Sequence, residues 1–297
     1  MLIADLAAFG AAMTWSFGTL IAVGPARQLG AFAFSRVRMT VVFFMLSLVA
    51  ATYGGWQTIN PDDLPLLALS GFIGIFIGDT ALFSGLSRLG PRRNSILFAT
   101  NAPFAAVLGY FFLGEILQMN AIIGCALVMA GIVLSIIFGK RRAQLHQWED
   151  VHGSLIVGVG MGLLAGLCQA VGAIMAKPAL EAGADPIAVS AIRVGAGALC
   201  LLLTLLAPGQ KMRAKTKITL RLFAHTALSG FVGMGIGMSL LLFALAREST
   251  GIVMTLSSMM PVLMLPILWY MTRERPALGA AIGAVLSVIG TGLIFLT

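Results

Sequence analysis

Charged residues are scarce in this chain of 297 residues. Lys, Arg, Asp and Glu make up 10% of the positions, whereas hydrophobic residues make up 59%, and the mean hydropathy is +0.99. A soluble protein of this length needs much more polar surface than these residues supply. The composition therefore excludes an ordinary soluble domain and indicates that lipid surrounds most of the chain.

Cysteine and histidine are equally scarce, with three of each. Cys125, Cys168 and Cys200 all lie in apolar stretches, where a small thiol packs well, so we expect no disulfide. The histidines have no partner at the spacing of a metal site or a catalytic triad. We therefore predict no catalytic residue, no metal site and no cofactor.

Long hydrophobic runs are what the sequence has in abundance. About 20 apolar residues are enough for a helix to cross a bilayer, and ten such runs leave only short connections between them. The sequence therefore predicts an all-α membrane protein with ten transmembrane helices. The predicted spans are residues 2–23, 33–53, 64–87, 94–113, 120–138, 154–176, 186–207, 220–245, 250–271 and 277–296.

The chain contains the same pattern twice. The glycine-rich stretch Gly71–Gly78 returns as Gly230–Gly237, at an offset of 159 residues. Each half holds five spans, and because this number is odd the second half must be inverted in the bilayer. Inverted repeats are typical of secondary transporters, whose substrate site lies near the midplane between the halves. We divide the chain into a first repeat (1–138), a basic linker (139–153) and a second repeat (154–297).

The net charge of +8 comes mainly from the loops and indicates orientation, not nucleic-acid binding. The even-numbered connections have little beyond Lys177 and Arg247. By the positive-inside rule we expect the odd-numbered connections in the cytoplasm and both termini outside, in a bacterial inner membrane. The odd-numbered connections carry Arg27; Arg88, Arg92 and Arg93; Lys140, Arg141 and Arg142; Lys211, Arg213, Lys215 and Lys217; and Arg273 and Arg275.

A longer motif resembles a known family. The segment from Pro103 to Glu115, followed by Gly124 and Gly131, is similar to the end of an EamA repeat of the drug/metabolite transporter superfamily. The second half repeats it with Pro261, Glu274, Gly283 and Gly290. The resemblance implies a ten-helix carrier for small metabolites, often an exporter of amino acids or related compounds. It does not identify the substrate, because members carry amino acids, purines, sugars and nucleotide conjugates.

Asp79 is the outstanding candidate for a binding residue, because an ionisable side chain inside a membrane span is costly and usually functional. Phe72, Phe76 and Phe83 lie at i−7, i−3 and i+4 from it, which predicts one helical face. An aromatic-flanked carboxylate suits an ammonium group, or it could carry a coupling proton. It could also pair with an arginine or cap a broken helix. The second half has Met238 at the equivalent position, so the symmetry is broken here.

Two prolines predict weak points in the helices. Pro103 and Pro261 fall in the middle of the fourth and ninth spans, where each removes a backbone donor. Such breaks face protein or a watery cavity in membrane proteins. They are either passive kinks or gating points that also form the wall of a pocket. The polar neighbours that we include in the predicted site are Asn101, Ser257 and Ser258.

Trp15 lies in the middle of the first span, unlike the other tryptophans, which lie near span ends. Gln169 occupies a comparable place in the sixth span. If the site lies on the pseudo-two-fold axis, polar residues of both halves should surround one cavity. We expect Trp15, Asp79 and Asn101 to face Gln169, Ser239 and Ser258 across it.

Two arginines are also repeated between the halves, in the patterns Ser35-x-x-Arg38 and Ser190-x-x-Arg193. Both lie near the start of a span, so we expect their charged ends to reach the membrane interface. Without a Lys or Arg pair at mid-membrane, a phosphorylated or nucleotide-linked substrate is disfavoured.

Stripes of small residues predict where helices approach closely in lipid. One stripe comprises Gly158, Gly162 and Gly166 of the sixth span, and another is Gly74-x-x-x-Gly78, matched by Gly233-x-x-x-Gly237. The repeated glycines of the fifth and tenth spans should pack these helices at the periphery. These glycine residues are Gly124, Gly131, Gly283 and Gly290.

These observations favour a secondary carrier that exports a small amine-bearing metabolite, such as an amino acid, by alternating access. A carrier of a purine, a sugar or a drug-like cation is the alternative. A lipid-modifying enzyme would need a cluster of carboxylates, histidines or arginines at one membrane surface, and a channel would need a continuous polar stripe. The sequence contains only isolated polar residues within its spans.

Overall fold

The computed structural model describes residues 2–113, 119–138, 153–206 and 212–247, followed by 253, 256–260, 262–263, 267, 269–270, 273 and 277–295. All regular structure in these ranges is helical, so the protein is all-α as predicted. Pro261, Glu115, Glu274 and nearly all of the linker lie outside the described residues, and so does the prediction made for each of them.

Five helices form the first half, and two of them are irregular. The third helix is interrupted by a π-helical stretch, and the fourth is broken by a turn at residues 99–100. The helices are α1 (Leu2–Leu29), α2 (Ala31–Thr52), α3 (Leu64–Gly71, π-helical Phe72–Ile77 and Gly78–Leu89), α4 (Pro91–Phe98 and Asn101–Leu113) and α5 (Met119–Phe138).

The second half repeats this arrangement, and its third helix again contains a π-helical stretch. We name as α9 the helical residues that are described between Val253 and Tyr270. The other helices are α6 (Leu155–Glu181), α7 (Pro186–Leu203), α8 (Leu220–Gly230, π-helical Phe231–Met238 and Ser239–Leu245) and α10 (Leu278–Phe295).

Within the described residues, seven helices are long and apolar enough to cross a membrane. They are α1 to α4 and α6 to α8, while α5 and α10 contain shorter apolar stretches. α1 ends six residues later than predicted, because it continues through Pro25 to Leu29. α6 likewise continues through Pro178 to Glu181. Each proline lies near the end of its helix, where the chain loses only one backbone hydrogen bond.

The helices pair symmetrically between the two halves. α1 packs on α8, and its symmetry equivalent α6 packs on α3. α2 packs on α7, and α5 packs on α10. Each contact thus joins one half to the other, so the interior of the bundle is also the boundary between the repeats. A cavity at this boundary is lined by residues of both halves.

Glycines make these close approaches possible, as the small-residue stripes predicted. A Cβ atom on Gly78 of α3 would lie 2.8 Å from Cys168 Cβ of α6, and one on Gly158 would lie 2.7 Å from the Leu89 side chain. At the periphery, a Cβ atom on Gly131 of α5 would come within 2.5 Å of the Gly283 carbonyl oxygen of α10. The predicted packing of the fifth helix against the tenth is therefore confirmed.

The closest of these contacts gives a test of the fold. A Cβ atom on Gly71 would collide with the backbone oxygen of Arg193, so Gly71→Ala must push α3 away from α7. We expect the free energy of unfolding to fall by about 1 to 3 kcal/mol. The measurement is thermal unfolding of the purified protein in detergent.

Gly160→Ala is the matched control for this substitution. Gly160 also lies inside a helix, but a Cβ atom there would meet nothing within 4 Å. We expect its unfolding free energy to change by no more than about 0.5 kcal/mol. Equal stability of the two variants would contradict the described approach of α3 to α7.

Candidate substrate site

A cavity lies at the boundary between the halves, among α1, α2, α3, α4, α6, α8 and α9. With its mouth, and with the solvent space that the mouth contains, it comprises about 550 Å³ that is not filled by atoms. Much of its wall is apolar, and Met234, Met238 and Met260 contribute to it. Of the residues that the structure describes, five with polar side-chain groups also line it, namely Trp15, Thr19, Arg38, Asp79 and Gln169.

Asp79 forms a buried ion pair with Arg38. Arg38 Nη1 donates to both carboxylate oxygens, over 2.9 Å to Oδ1 and 3.2 Å to Oδ2, and both residues are 5% exposed. The guanidinium carbon also lies 4.7 Å from the centre of the Phe83 ring, a cation–π distance. The expectation that Arg38 reaches the membrane interface is therefore wrong. Its charge points into the protein, because the carboxylate lies there.

Trp15 joins the two halves at the cavity wall. Its indole Nε1 donates to the carbonyl oxygen of Gly233 over 2.9 Å. Its ring meets Phe98 edge-on with 6.1 Å between the centroids. A Cβ atom on Gly237 would lie 2.7 Å from the indole, so only glycine fits there. Trp15 is thus fixed in place by contacts from α4 and α8, and it forms a rigid part of the wall.

The predicted aromatic face around Asp79 is only half correct. Phe83 lines the cavity, but Phe76 does not. Phe76 stacks on Phe72 with 5.4 Å between the ring centroids, and Phe72 is 37% exposed. Both belong to the π-helical stretch Phe72–Ile77, where the 3.6-residue period on which the prediction relied does not hold. The extra backbone per turn rotates these rings away from Asp79.

The break in α4 explains Asn101. The chain turns at residues 99–100. The Leu97 carbonyl before the turn accepts from the backbone N–H of Thr100 over 3.2 Å, and side chains add further donors to the carbonyls there. Thr100 Oγ1 donates to the Leu97 carbonyl over 2.6 Å, and Asn101 Nδ2 donates to the Phe98 carbonyl over 2.8 Å. The expected weak point near Pro103 is therefore present. Asn101 does not line the cavity as predicted, since its amide caps the broken helix instead.

The predicted serines also lie outside this cavity. Ser257 and Ser258 of the α9 region are buried, but they do not line the cavity. Ser239 lines a second cavity, of about 990 Å³ on the same measure, together with Val49, Phe231 and others. Val49 and Phe231 are 45% and 43% exposed, and Asp185 and Arg247 also line this second cavity, so it is a crevice on the outer face of the bundle. We therefore place the candidate site in the first cavity.

Arg193 is the second arginine that the structure turns inward. It is the eighth residue of α7, as Arg38 is the eighth of α2, and it is 0% exposed. Its Nη1 lies 3.8 Å from Sδ of Met238, the residue equivalent to Asp79. The expected position at the membrane interface is therefore wrong for Arg193 as well. Arg38 and Arg193 are therefore two buried arginines in the interior. The reason given above for disfavouring phosphorylated or nucleotide-linked substrates no longer holds.

The burial of both arginines could have been inferred from one sequence signal. Arg38 and Arg193 occupy the same position in the two halves, and each lies opposite a glycine-rich stretch of the other half. Side-chain atoms of Arg38 lie close to Gly230 and Gly233. The backbone of Arg193 lies close to Gly71, and its guanidinium lies close to Gly74. The repeated glycines thus make room for a large side chain as well as for a neighbouring helix.

The packing between the halves is uneven along the bundle. The largest cluster of buried apolar residues lies at the end where α1 begins, and it combines residues of α1, α2, α3, α6, α7 and α8. Two smaller clusters lie toward the opposite end: one includes Leu29, Phe34 and Leu222, and the other includes Leu89 and Ile96. At the first end, Tyr53 Oη also donates to Asp185 Oδ1 over 2.7 Å. This contact joins the end of α2 to the start of α7.

Two inverted groups of helices around a central cavity are the architecture of many secondary transporters. The sequence profile of the EamA-like transporter family matches residues 2–137 and 156–296. The chain belongs to this family, a membrane transporter family of the drug/metabolite type, as the resemblance of its motifs indicated.

The overall fold is also found in another protein. One solved structure, a crystal structure described only as that of a protein, aligns with a TM-score of 0.70 over 99% of this chain and 96% of its own. With 17% sequence identity, this likeness concerns the fold alone. No curated protein has significant sequence similarity to the chain.

Proposed function

We propose that the protein exports a small amine-bearing metabolite, an amino acid or a related compound, across the bacterial inner membrane by alternating access. The observation that carries this proposal is the Arg38–Asp79 pair in the wall of a cavity between the halves. Arg38 approaches both carboxylate oxygens through one nitrogen only. A carboxylate has about four acceptor positions, so Asp79 retains capacity for a substrate ammonium group or a proton.

The rest of the wall supports a substrate with an apolar body. Phe83, Phe98, Leu82 and the methionines supply apolar surface, and methionine adapts its shape to different ligands. Gln169 and Thr19 are the neutral polar residues of the lining. Apolar amino acids combine an ammonium group with such a body, whereas sugars would need more hydrogen-bonding groups in the wall.

The uneven packing along the bundle supports alternating access. The large apolar cluster closes the end where α1 begins. We propose that this end, which the basic loops assign to the outside, opens when the substrate leaves. The broken helix α4 and the π-helical stretches of α3 and α8 are the places where these helices bend most easily.

Reconstituted protein provides the test. We expect liposomes that contain the protein to release preloaded radiolabelled apolar amino acids faster than protein-free liposomes do. An inward proton gradient should accelerate this release if protons are the coupling ion. The same liposomes are loaded with purines, sugars and a drug-like cation in parallel. Release of only one of these other classes would replace the amino acid in the proposal.

A further inference from the structure

Within the described residues, the guanidinium of Arg193 is buried without a counter-charge. In this part of the chain its Nε and Nη2 have no hydrogen-bond partner, and its Nη1 has only the Met238 sulfur at 3.8 Å, a weak acceptor. Across the described parts of the chain, no carboxylate lies within ion-pair distance of it. Since an unpaired charge in the interior is strongly unfavourable, this arginine is explained best by a partner that comes from outside the protein.

Arg193 lies directly behind the cavity wall. Met238 and Gly74 both line the cavity, and Nη1 of Arg193 lies 3.8 Å from Sδ of Met238. Its Nη2 is 3.2 Å from the place of a Cβ atom on Gly74, so the wall has no side chain there. Methionine has three rotatable bonds and repacks easily. A rotation of the Met238 side chain would therefore connect the guanidinium to the cavity.

The symmetry of the fold shows what is missing at this position. Arg38 in the first half has the carboxylate of Asp79 beside it, whereas Arg193 in the second half has Met238 at the equivalent position. Two guanidinium groups and one carboxylate leave a single uncompensated positive charge beside the cavity. One further carboxylate would neutralise it.

We propose that Arg193 binds the carboxylate of the transported molecule. This inference rests on the proposed function and narrows it, because the substrate class becomes compounds that carry a carboxylate as well as an ammonium group. Asp79 then faces the ammonium group and Arg193 the carboxylate, on opposite halves of the protein. Simple amines, purines and sugars lack the group that Arg193 requires.

Flux of an amino acid and its amide tests this assignment. Leucine and leucinamide, and likewise phenylalanine and phenylalaninamide, have nearly the same size and differ in the carboxylate. We expect the unaltered protein to transport each acid at least about tenfold better than its amide, because the amide leaves the guanidinium unpaired. In Arg193→Gln the preference should disappear. A tenfold preference that persists in Arg193→Gln would overturn the inference.

A binding measurement keeps the inference testable if none of these compounds is transported. The probe is sodium propionate, compared with sodium chloride at equal ionic strength, and the readout is the melting temperature of the purified protein. Propionate should raise it in a saturable manner, and Arg193→Gln should abolish the rise. The exposed Arg221 provides the control, since Arg221→Gln removes the same charge away from the cavity and should keep the full rise.

The two measurements separate the possible failures. Transport of acids and amides at equal rates, with no effect of propionate on the melting temperature, overturns the role of Arg193 and leaves the exporter standing. A propionate effect that depends on Arg193, without flux of any amino acid, supports the carboxylate site and refutes the amino acid as substrate. An equal propionate effect in the Arg193→Gln variant overturns the carboxylate site.

Discussion

Asp79→Asn is expected to abolish transport and to lower the free energy of unfolding by about 3 to 5 kcal/mol. The substitution keeps the size of the side chain and one acceptor oxygen, but it leaves the Arg38 guanidinium buried without its counter-charge. Arg38 is 5% exposed, so water compensates little of the lost ion pair. The measurements are thermal unfolding in detergent and flux in liposomes.

A loss of both stability and transport does not by itself assign a binding role to Asp79. The double variant Arg38→Met with Asp79→Leu separates the two effects. A buried ion pair that is replaced by apolar side chains of similar volume often leaves stability unchanged or higher. We therefore expect the double variant to unfold at or above the temperature of the unaltered protein and still to be inactive.

The exposed Asp62 supplies the matched control, because Asp62→Asn removes a carboxylate outside the membrane-spanning part of α3. It should change neither stability nor flux. Normal flux in the stable double variant would show that the Arg38–Asp79 pair only holds α2 and α3 together. In that case the ammonium group of the substrate would have to be bound elsewhere in the cavity.

Much of this architecture could be predicted from the sequence, because lipid imposes simple rules on it. Hydrophobic runs identify most of the spans, repeated glycines identify the contacts between helices, and an isolated carboxylate within a span indicates an interior position. The spacing of Phe83 from Asp79 and the depth of Trp15 and Gln169 in equivalent spans predict one site, and these four residues do line one cavity.

The predictions that the structure contradicts concern residues in irregular backbone or residues with a long side chain. The π-helical stretch of α3 shifts Phe76 away from Asp79, and no sequence period reveals such a stretch. The side-chain amide of Asn101 donates to the Phe98 carbonyl at the break in α4, so it does not face the cavity. An arginine near the start of a span can extend to the membrane interface or into the interior of the bundle. Arg38 turns into the interior because Asp79 and the neighbouring glycines lie there.

Met238→Asp would supply the carboxylate that the second half lacks. The sulfur of methionine and the carboxylate oxygens of aspartate are equally many bonds from Cα, and the sulfur already lies 3.8 Å from Arg193 Nη1. An internal ion pair like that of Arg38 and Asp79 should therefore form. The free energy of unfolding should exceed that of Met238→Asn by about 1.5 to 3 kcal/mol, as expected for hydrogen bonds between charged groups.

Transport should change in the opposite direction to stability. In Met238→Asp the guanidinium of Arg193 is occupied and a second negative charge repels the substrate carboxylate, which costs about 2 to 5 kcal/mol of binding, or roughly 30- to 4,000-fold in flux at low substrate concentration. Met238→Asn loses the same apolar surface without the charge and should retain more flux. A Met238→Asp variant that transports leucine as well as Met238→Asn does would show that the substrate carboxylate never reaches Arg193.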